Sequence, residues 1–235
     1  MINIFVIIMI GLSNSFKLIL IRHGISKWNA KNIYTGWYNI GLTQTGLQKS
    51  ADLGTVLNTM ELSPKIIFTS EQKRAIDTSI AIRGTLIEPN IPMVKTWRLN
   101  ERHYGMLTGL DKSEYPFAST YYEMPPEIKR KMDDPILNDI PSYSAGNYFS
   151  KITYGESLHN VHNRLIPYFY SDVLSFKQNM IIVSHKNTLK TLVKHIENIP
   201  DELDDYVDID NSKPLIYDVI TDSSCSNDVN FIKIF

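Results

Sequence analysis

Leu18-Ile19-Leu20-Ile21-Arg22-His23-Gly24 sets four consecutive aliphatic residues against a cation, an imidazole and a glycine. An unbroken aliphatic run of this length reads as a strand of a parallel sheet, buried on both faces. In open α/β sheets ligands bind beyond the carboxyl ends of the strands, so Arg22 and His23 are aimed at that crevice. His23 is therefore a candidate nucleophile. The plainer alternative is a satisfied histidine at a strand end.

The pattern recurs downstream. Lys65-Ile66-Ile67-Phe68-Thr69-Ser70 and Met180-Ile181-Ile182-Val183-Ser184-His185 are further aliphatic runs that end in polar residues. Residues 91–97 read as a shorter strand, and 214–219 and 229–235 as later ones. Helical spacing fills the gaps between them. Thr43 is expected to cap a helix with Leu47, Ala51, Gly54 and Leu57 facing the core. Thr153-Tyr154-Gly155-Glu156 has the form of a capping box ahead of Leu158, Val161, Leu165 and Phe169. Asn187 is expected to cap a helix carrying Leu189, Leu192, Val193 and Ile196. This alternation predicts an α/β fold: a three-layer α/β/α sandwich, with a mostly parallel central sheet and helices on both faces.

A chain of 235 residues with 43% hydrophobic content buries a sizeable core and suits one domain. Its expected limits are residues 17–235, preceded by an apolar extension at 1–16 and interrupted by a Pro- and Tyr-rich lid insertion at about 115–153. A net charge of −1 provides no basic field for nucleic acid. The single cysteine, Cys225, excludes an internal disulfide and a zinc–cysteine cluster, and fits a reducing, cytoplasmic compartment. The apolar run from Met1 to Ile10 is too short to span a bilayer as a helix, and no Lys or Arg precedes it as in a signal peptide. Stable membrane insertion is not expected.

Functional groups concentrate at the strand ends. Arg74 falls in the first turn of a helix, where free N–H groups and a partial positive charge hold anions. Residues 25–42 alternate aromatics with small polar residues and glycines, as in a loop whose backbone approaches a ligand. Leu99-Asn100-Glu101-Arg102-His103-Tyr104-Gly105 packs a carboxylate, a guanidinium, an imidazole and a phenol into one loop. Glu101 is the candidate for proton transfer, since a carboxyl group beside a phosphate's charge holds its proton to higher pH. Parallel strands ending on one edge bring His23 and His185 together. His159 and His162 lack a neighbouring carboxylate signature and read as exposed, so no metal site is expected. Lys129-Arg130-Lys131 reads as a solvated face. Two arginines, two histidines and a carboxylate suit phosphoryl transfer through a histidine intermediate without a divalent metal. Arginine's planar fork pairs with phosphate oxygens.

Leu-Ile-Arg-His-Gly at 20–24, Tyr-Thr-Gly-Trp-Tyr at 34–38, Lys-Arg-Ala-Ile at 73–76, Leu-Asn-Glu-Arg-His-Tyr-Gly at 99–105 and Gly-Glu-Ser-Leu at 155–158 resemble the cofactor-dependent phosphoglycerate mutases of the histidine phosphatase superfamily. The resemblance implies that His23 is phosphorylated and that Glu101 donates and accepts protons. It also implies that Arg22, Ser26, Asn29, Arg74, His185 and Asn187 surround the phosphoryl group, while Thr35, Gly36, Arg102, Tyr104 and Lys112 hold the rest of the substrate. It further implies priming by 2,3-bisphosphoglycerate, interconversion of 3- and 2-phosphoglycerate, and a homodimer or homotetramer. Ile25 stands where the family usually has Glu, and Lys186 where it has Gly. Ser119 and Thr120 stand where it has paired arginines. Two alternatives remain at this level: a phosphatase of the same superfamily acting on small phosphorylated metabolites, and a non-catalytic protein that binds phosphorylated ligands.

Overall fold

The aliphatic run lies inside β1 (Asn14–Arg22), which is joined by β2 (Ile66–Thr69), β3 (Met93–Lys95), β4 (Met180–Ser184), β5 (Leu215–Thr221) and β6 (Val229–Lys233). The six form one sheet in the order β3-β2-β4-β1-β5-β6. The structure, a computed structural model, describes residues 14–118, 120–126, 155–211, 213–221 and 229–235. Residues 1–13, most of the expected lid insertion with Lys129-Arg130-Lys131, Ser119, Thr153 and Cys225 lie outside the described residues. Asn14, Ser15 and Phe16, within the expected extension at 1–16, pair with β5.

Strands β1, β2, β3 and β4 are mutually parallel, whereas β5 runs antiparallel to β1 and β6 antiparallel to β5. Alternate side chains of a strand point to opposite faces, and here both faces are apolar. Leu18, Leu20, Phe68, Met180 and Ile182 face one core, where α3 (Leu158–Tyr168) and α4 (Lys186–Ile196) supply Leu165, Leu189 and Val193. Ile19, Ile21, Ile67, Ile181 and Val183 face the other, where α1 (Gln44–Thr59) and α2 (Lys73–Thr85) supply Leu53, Leu57, Ala75 and Ile82. The three layers follow from aliphatic strands that have no polar face to turn to water. Leu18 and Ile19 are fully buried, so replacing either with alanine costs about 2–5 kcal/mol.

Several helix expectations shift in detail. Thr43 caps α1 by accepting from the Gly46 N–H, but the buried stripe is Gly46, Ser50, Leu53, Gly54 and Leu57, while Leu47 is exposed. The reason is the close approach of the nucleophile loop: a Cβ on Gly46 would lie 2.3 Å from the Ile25 carbonyl oxygen, so this turn faces the site rather than the aliphatic core. The box that opens α3 is Ser157 with Asn160, since the helix starts at Leu158, and Thr153 of the expected box lies outside the described residues. His185, not Asn187, occupies the N-cap position of α4, and its side chain makes no cap bond. His159 and His162 are half-buried rather than exposed, since Tyr121 packs edge-on against both. No helix among the described residues is long and apolar enough to cross a membrane.

Candidate active site

Register builds the centre. Arg22 is level with Ser184 across the parallel β1–β4 pair, and the His23 N–H donates to the Ser184 carbonyl at 2.9 Å. The next side chains off the same edge are therefore His23 and His185, whose ring centroids lie 4.9 Å apart. Both histidines are buried. His23 Nδ1 lies 2.7 Å from the Gly24 carbonyl oxygen, which only accepts, so Nδ1 carries the proton and Nε2 keeps its lone pair. Burial, then the Arg74 charge, holds His23 well below the usual histidine range; a bond to the Gly24 backbone opposes this weakly. His185 is lowered for the same two leading reasons. Both rings are thus neutral at pH 7.

Arg74 reaches this centre from the first turn of α2. Its Nε donates to His23 Nε2 at 3.3 Å, and its Nη atoms donate to the carbonyls of Tyr38 and Gly36. Gly36 has φ +49°, a left-handed backbone that glycine adopts without strain, which presents its carbonyl inward. Gln72 ties three segments together. Its Oε1 accepts from Arg74 Nη2 and the Glu101 N–H, and its Nε2 donates to the Gly36 carbonyl. Ser70, at the end of β2, lies 2.8 Å from His185 Nε2.

The Glu101 loop is held from behind by a buried ion pair. Arg164 on α3 meets Glu156 at 2.7 Å with both side chains at most 1% exposed, and it also donates to the carbonyls of Arg98, Asn100 and Glu101. Glu156 in turn accepts from the His103 N–H at 2.9 Å. Trp37 Nε1 donates to the Glu101 carbonyl at 2.6 Å. Glu101 itself is buried, and its carboxylate accepts from the Arg102 N–H. Burial brings His103 down to about 4 and, reinforced by Glu101, pushes the Tyr104 phenol upward.

The remaining expected residues surround this centre. Asn187 donates to the Tyr104 hydroxyl at 2.8 Å, which links α4 to the Glu101 loop. Ser26 and Asn29 bond to each other. Thr35 is buried, and Lys112 lies over the Tyr34 ring at 5.6 Å. Arg102 is fully buried, and its Nε and Nη2 donate to the carbonyls of Glu156 and Glu123. Arg22 donates from Nη1 to the Ile209 carbonyl, and its Nε is buried without a partner, as is His185 Nδ1.

Sequence reasoning gave Gln72, Ser70, Arg164 and Asn211 no site role and read Glu156 as part of a capping box. Asn211 donates to the His23 carbonyl at 2.6 Å. Arg164 carried a usable signal, a cation three residues after Val161 and beside Leu165 on the buried side of a helix. Asn211 carried none, because its contact spans 188 residues of chain. A neutral imidazole with a free lone pair, a guanidinium beside it and a buried carboxylate can together accept, hold and release a phosphoryl group.

Residues 18–223 match the histidine phosphatase superfamily (branch 1). The chain is 37% identical over 216 residues to the 2,3-bisphosphoglycerate-dependent phosphoglycerate mutase of Arthrobacter sp. (strain FB24), covering 87% of each chain. It is 35% identical over 216 residues to the protein of the same name from Corynebacterium diphtheriae, covering 86% of each. Among solved structures, Bacillus stearothermophilus YhfR is similar with a TM-score of 0.66 and 25% identity, over 93% of this chain and 95% of that one. A mycobacterial glucosyl-3-phosphoglycerate phosphatase shares the fold with a TM-score of 0.70 at 17% identity, over 94% and 98%.

Proposed function

The chain belongs to the histidine phosphatase superfamily, branch 1, and from that premise we propose that it is a phosphoglycerate mutase working through a phosphohistidine on His23. The observation that carries this reading is the tautomer of His23: Nδ1 is tied to the Gly24 carbonyl, leaving Nε2 as a lone-pair donor beside Arg74. The Nε2 lone pair forms the N–P bond as the P–O bond to the substrate breaks. The departing oxygen takes a proton from Glu101. From phosphorylated His23, Glu101 takes the proton of an incoming phosphoglycerate's free hydroxyl, whose oxygen attacks phosphorus as the N–P bond breaks, and the other phosphoryl group of the resulting bisphosphate then passes to His23. Arg74, Arg22 and His185 spread the charge on the equatorial oxygens.

The residues present fit a phosphoryl primer, because Arg22 Nε and His185 Nδ1 are buried polar atoms with no partner. When bound, 2,3-bisphosphoglycerate supplies the phosphoryl group that charges His23. Arg22, Arg74 and His185 would hold its transferred end, and Lys112 and Tyr104 the remainder.

A second reading, a phosphatase acting on small phosphorylated metabolites, is favoured by Ser119 and Thr120 at the positions of the family's paired arginines. With a weaker hold on the substrate, water completes the transfer from His23. Phosphorus NMR of the protein with 3-phosphoglycerate and catalytic 2,3-bisphosphoglycerate separates the two. The mutase reading expects 2-phosphoglycerate with little inorganic phosphate; inorganic phosphate alone overturns it.

A further inference from the structure

Residues 207–211 pass the carboxyl end of β1 as a strap. Val207 and Ile209 are buried in the core beneath α3 and α4, which leaves the intervening Asp208 side chain at the surface. The strap grips the centre through its backbone and its far end: the Ile209 carbonyl accepts from Arg22 at 2.8 Å, and Asn211 donates to the His23 carbonyl at 2.6 Å. Immediately before these anchors in the chain, Asp208 meets Lys186 Nζ at 3.4 Å. Lys186 is the first residue of α4, directly after His185. It lies within electrostatic reach of Lys112, which also feels Arg22 and Glu101. Arg22 and Lys186 are thus both within electrostatic reach of Lys112, and Asp208 acts on both Arg22 and Lys186.

We propose that the Lys186–Asp208 pair is a displaceable latch: the second anionic group of a two-ended substrate replaces the Asp208 carboxylate on Lys186, so the pair discriminates two-ended phosphate esters from single phosphate groups. This rests on the reading of the site as one for phosphorylated metabolites. The pair is built to exchange. At 3.4 Å it is longer than a charge-assisted hydrogen bond, and its side chains are 46% and 80% exposed, so water screens it. Releasing Asp208 leaves the strap in place, because the Ile209 carbonyl and Asn211 hold it independently. A carboxylate or phosphate that is already anchored at its other end by His23 and Arg74 arrives at high effective concentration, which a free anion does not.

Calorimetric titration of the unphosphorylated protein with 3-phosphoglycerate and, separately, inorganic phosphate tests this. Asp208→Asn is expected to tighten 3-phosphoglycerate binding about threefold and Lys186→Gln to weaken it about threefold. The double variant should behave as Lys186→Gln alone, and inorganic phosphate should bind all four proteins equally. Both positions are exposed, so the variants retain the fold. Equal shifts for the two ligands, or no shift for either, overturn the latch. The readout is binding, so a wild-type protein that forms no 2-phosphoglycerate yet shows the selective shifts retains the latch and loses the mutase reading.

Discussion

The imidazoles of His23 and His185 stand 4.9 Å apart, tilted by 58°, because two parallel strands end in register with one polar residue left over on each. Their 162-residue separation in sequence is erased by the Arg22–Ser184 pairing. His185 offers Nδ1 as a partnerless polar atom beside the nucleophile, so it is expected to stabilise charge on the transferred group. His185→Ala should lower kcat about 10²–10³-fold, the loss seen when one buried donor to a developing charge is removed. Quenched-flow measurement of His23 phosphorylation checks this, with circular dichroism to show that the fold persists.

Glu101→Gln keeps the carboxamide shape and removes the transferable proton. The expected result is a fall in kcat of about 10²–10⁴-fold with little change in substrate KM, the range for lost general acid–base catalysis. Steady-state kinetics on phosphoglycerate measures both parameters.

Three neutral buried histidines make stability fall in acid. His103 is brought down to about 4, and His23 and His185 well below 6.5, whereas in the unfolded chain all three titrate near 6.5. Below pH 6.5 the unfolded state binds the extra protons, so this contribution is complete above that pH and is lost as pH falls. Each group contributes a slope of up to about 1.4 kcal/mol per pH unit. Urea midpoints should drop between pH 7.5 and 5.5, and His103→Gln should make the drop shallower.

The Arg164–Glu156 pair supports the Glu101 loop through its backbone carbonyls. Glu156→Ala leaves a buried guanidinium uncompensated and is expected to destabilise the protein by about 3–5 kcal/mol. Replacing both members with apolar residues should recover much of the stability but not the activity, since the carbonyls of Asn100 and Glu101 each lose one of two donors that position the loop. Thermal denaturation together with kcat on the double variant separates the two effects.

Local pattern carried the sheet, because β1, β2 and β4 are aliphatic on both faces and stop at polar residues. The antiparallel direction of β5 is a property of its long-range pairing and has no mark in the residues themselves. Helix starts were placed less well. Thr43 bonds as its residue type suggests, yet Asn187, an equally good capping residue, is drawn to the Tyr104 hydroxyl, and His185 takes the cap position. Tertiary contacts overrode local propensity there. In the site, strand-end residues were legible because direction and register decide where they point. Gln72, Arg164 and Asn211 were not, because they act on backbone groups that only the folded chain brings near.

Transfer of phosphorus to His23 Nε2 is the central step of the proposed chemistry, and labelling tests it most directly. The protein is incubated with 2,3-bisphosphoglycerate carrying radioactive phosphorus, denatured in alkali, and its peptides are mapped for acid-labile label. Label is expected on His23 alone, to be discharged to 2-phosphoglycerate on adding 3-phosphoglycerate. Label on another residue, or none in a protein that still turns over phosphoglycerate, would contradict it.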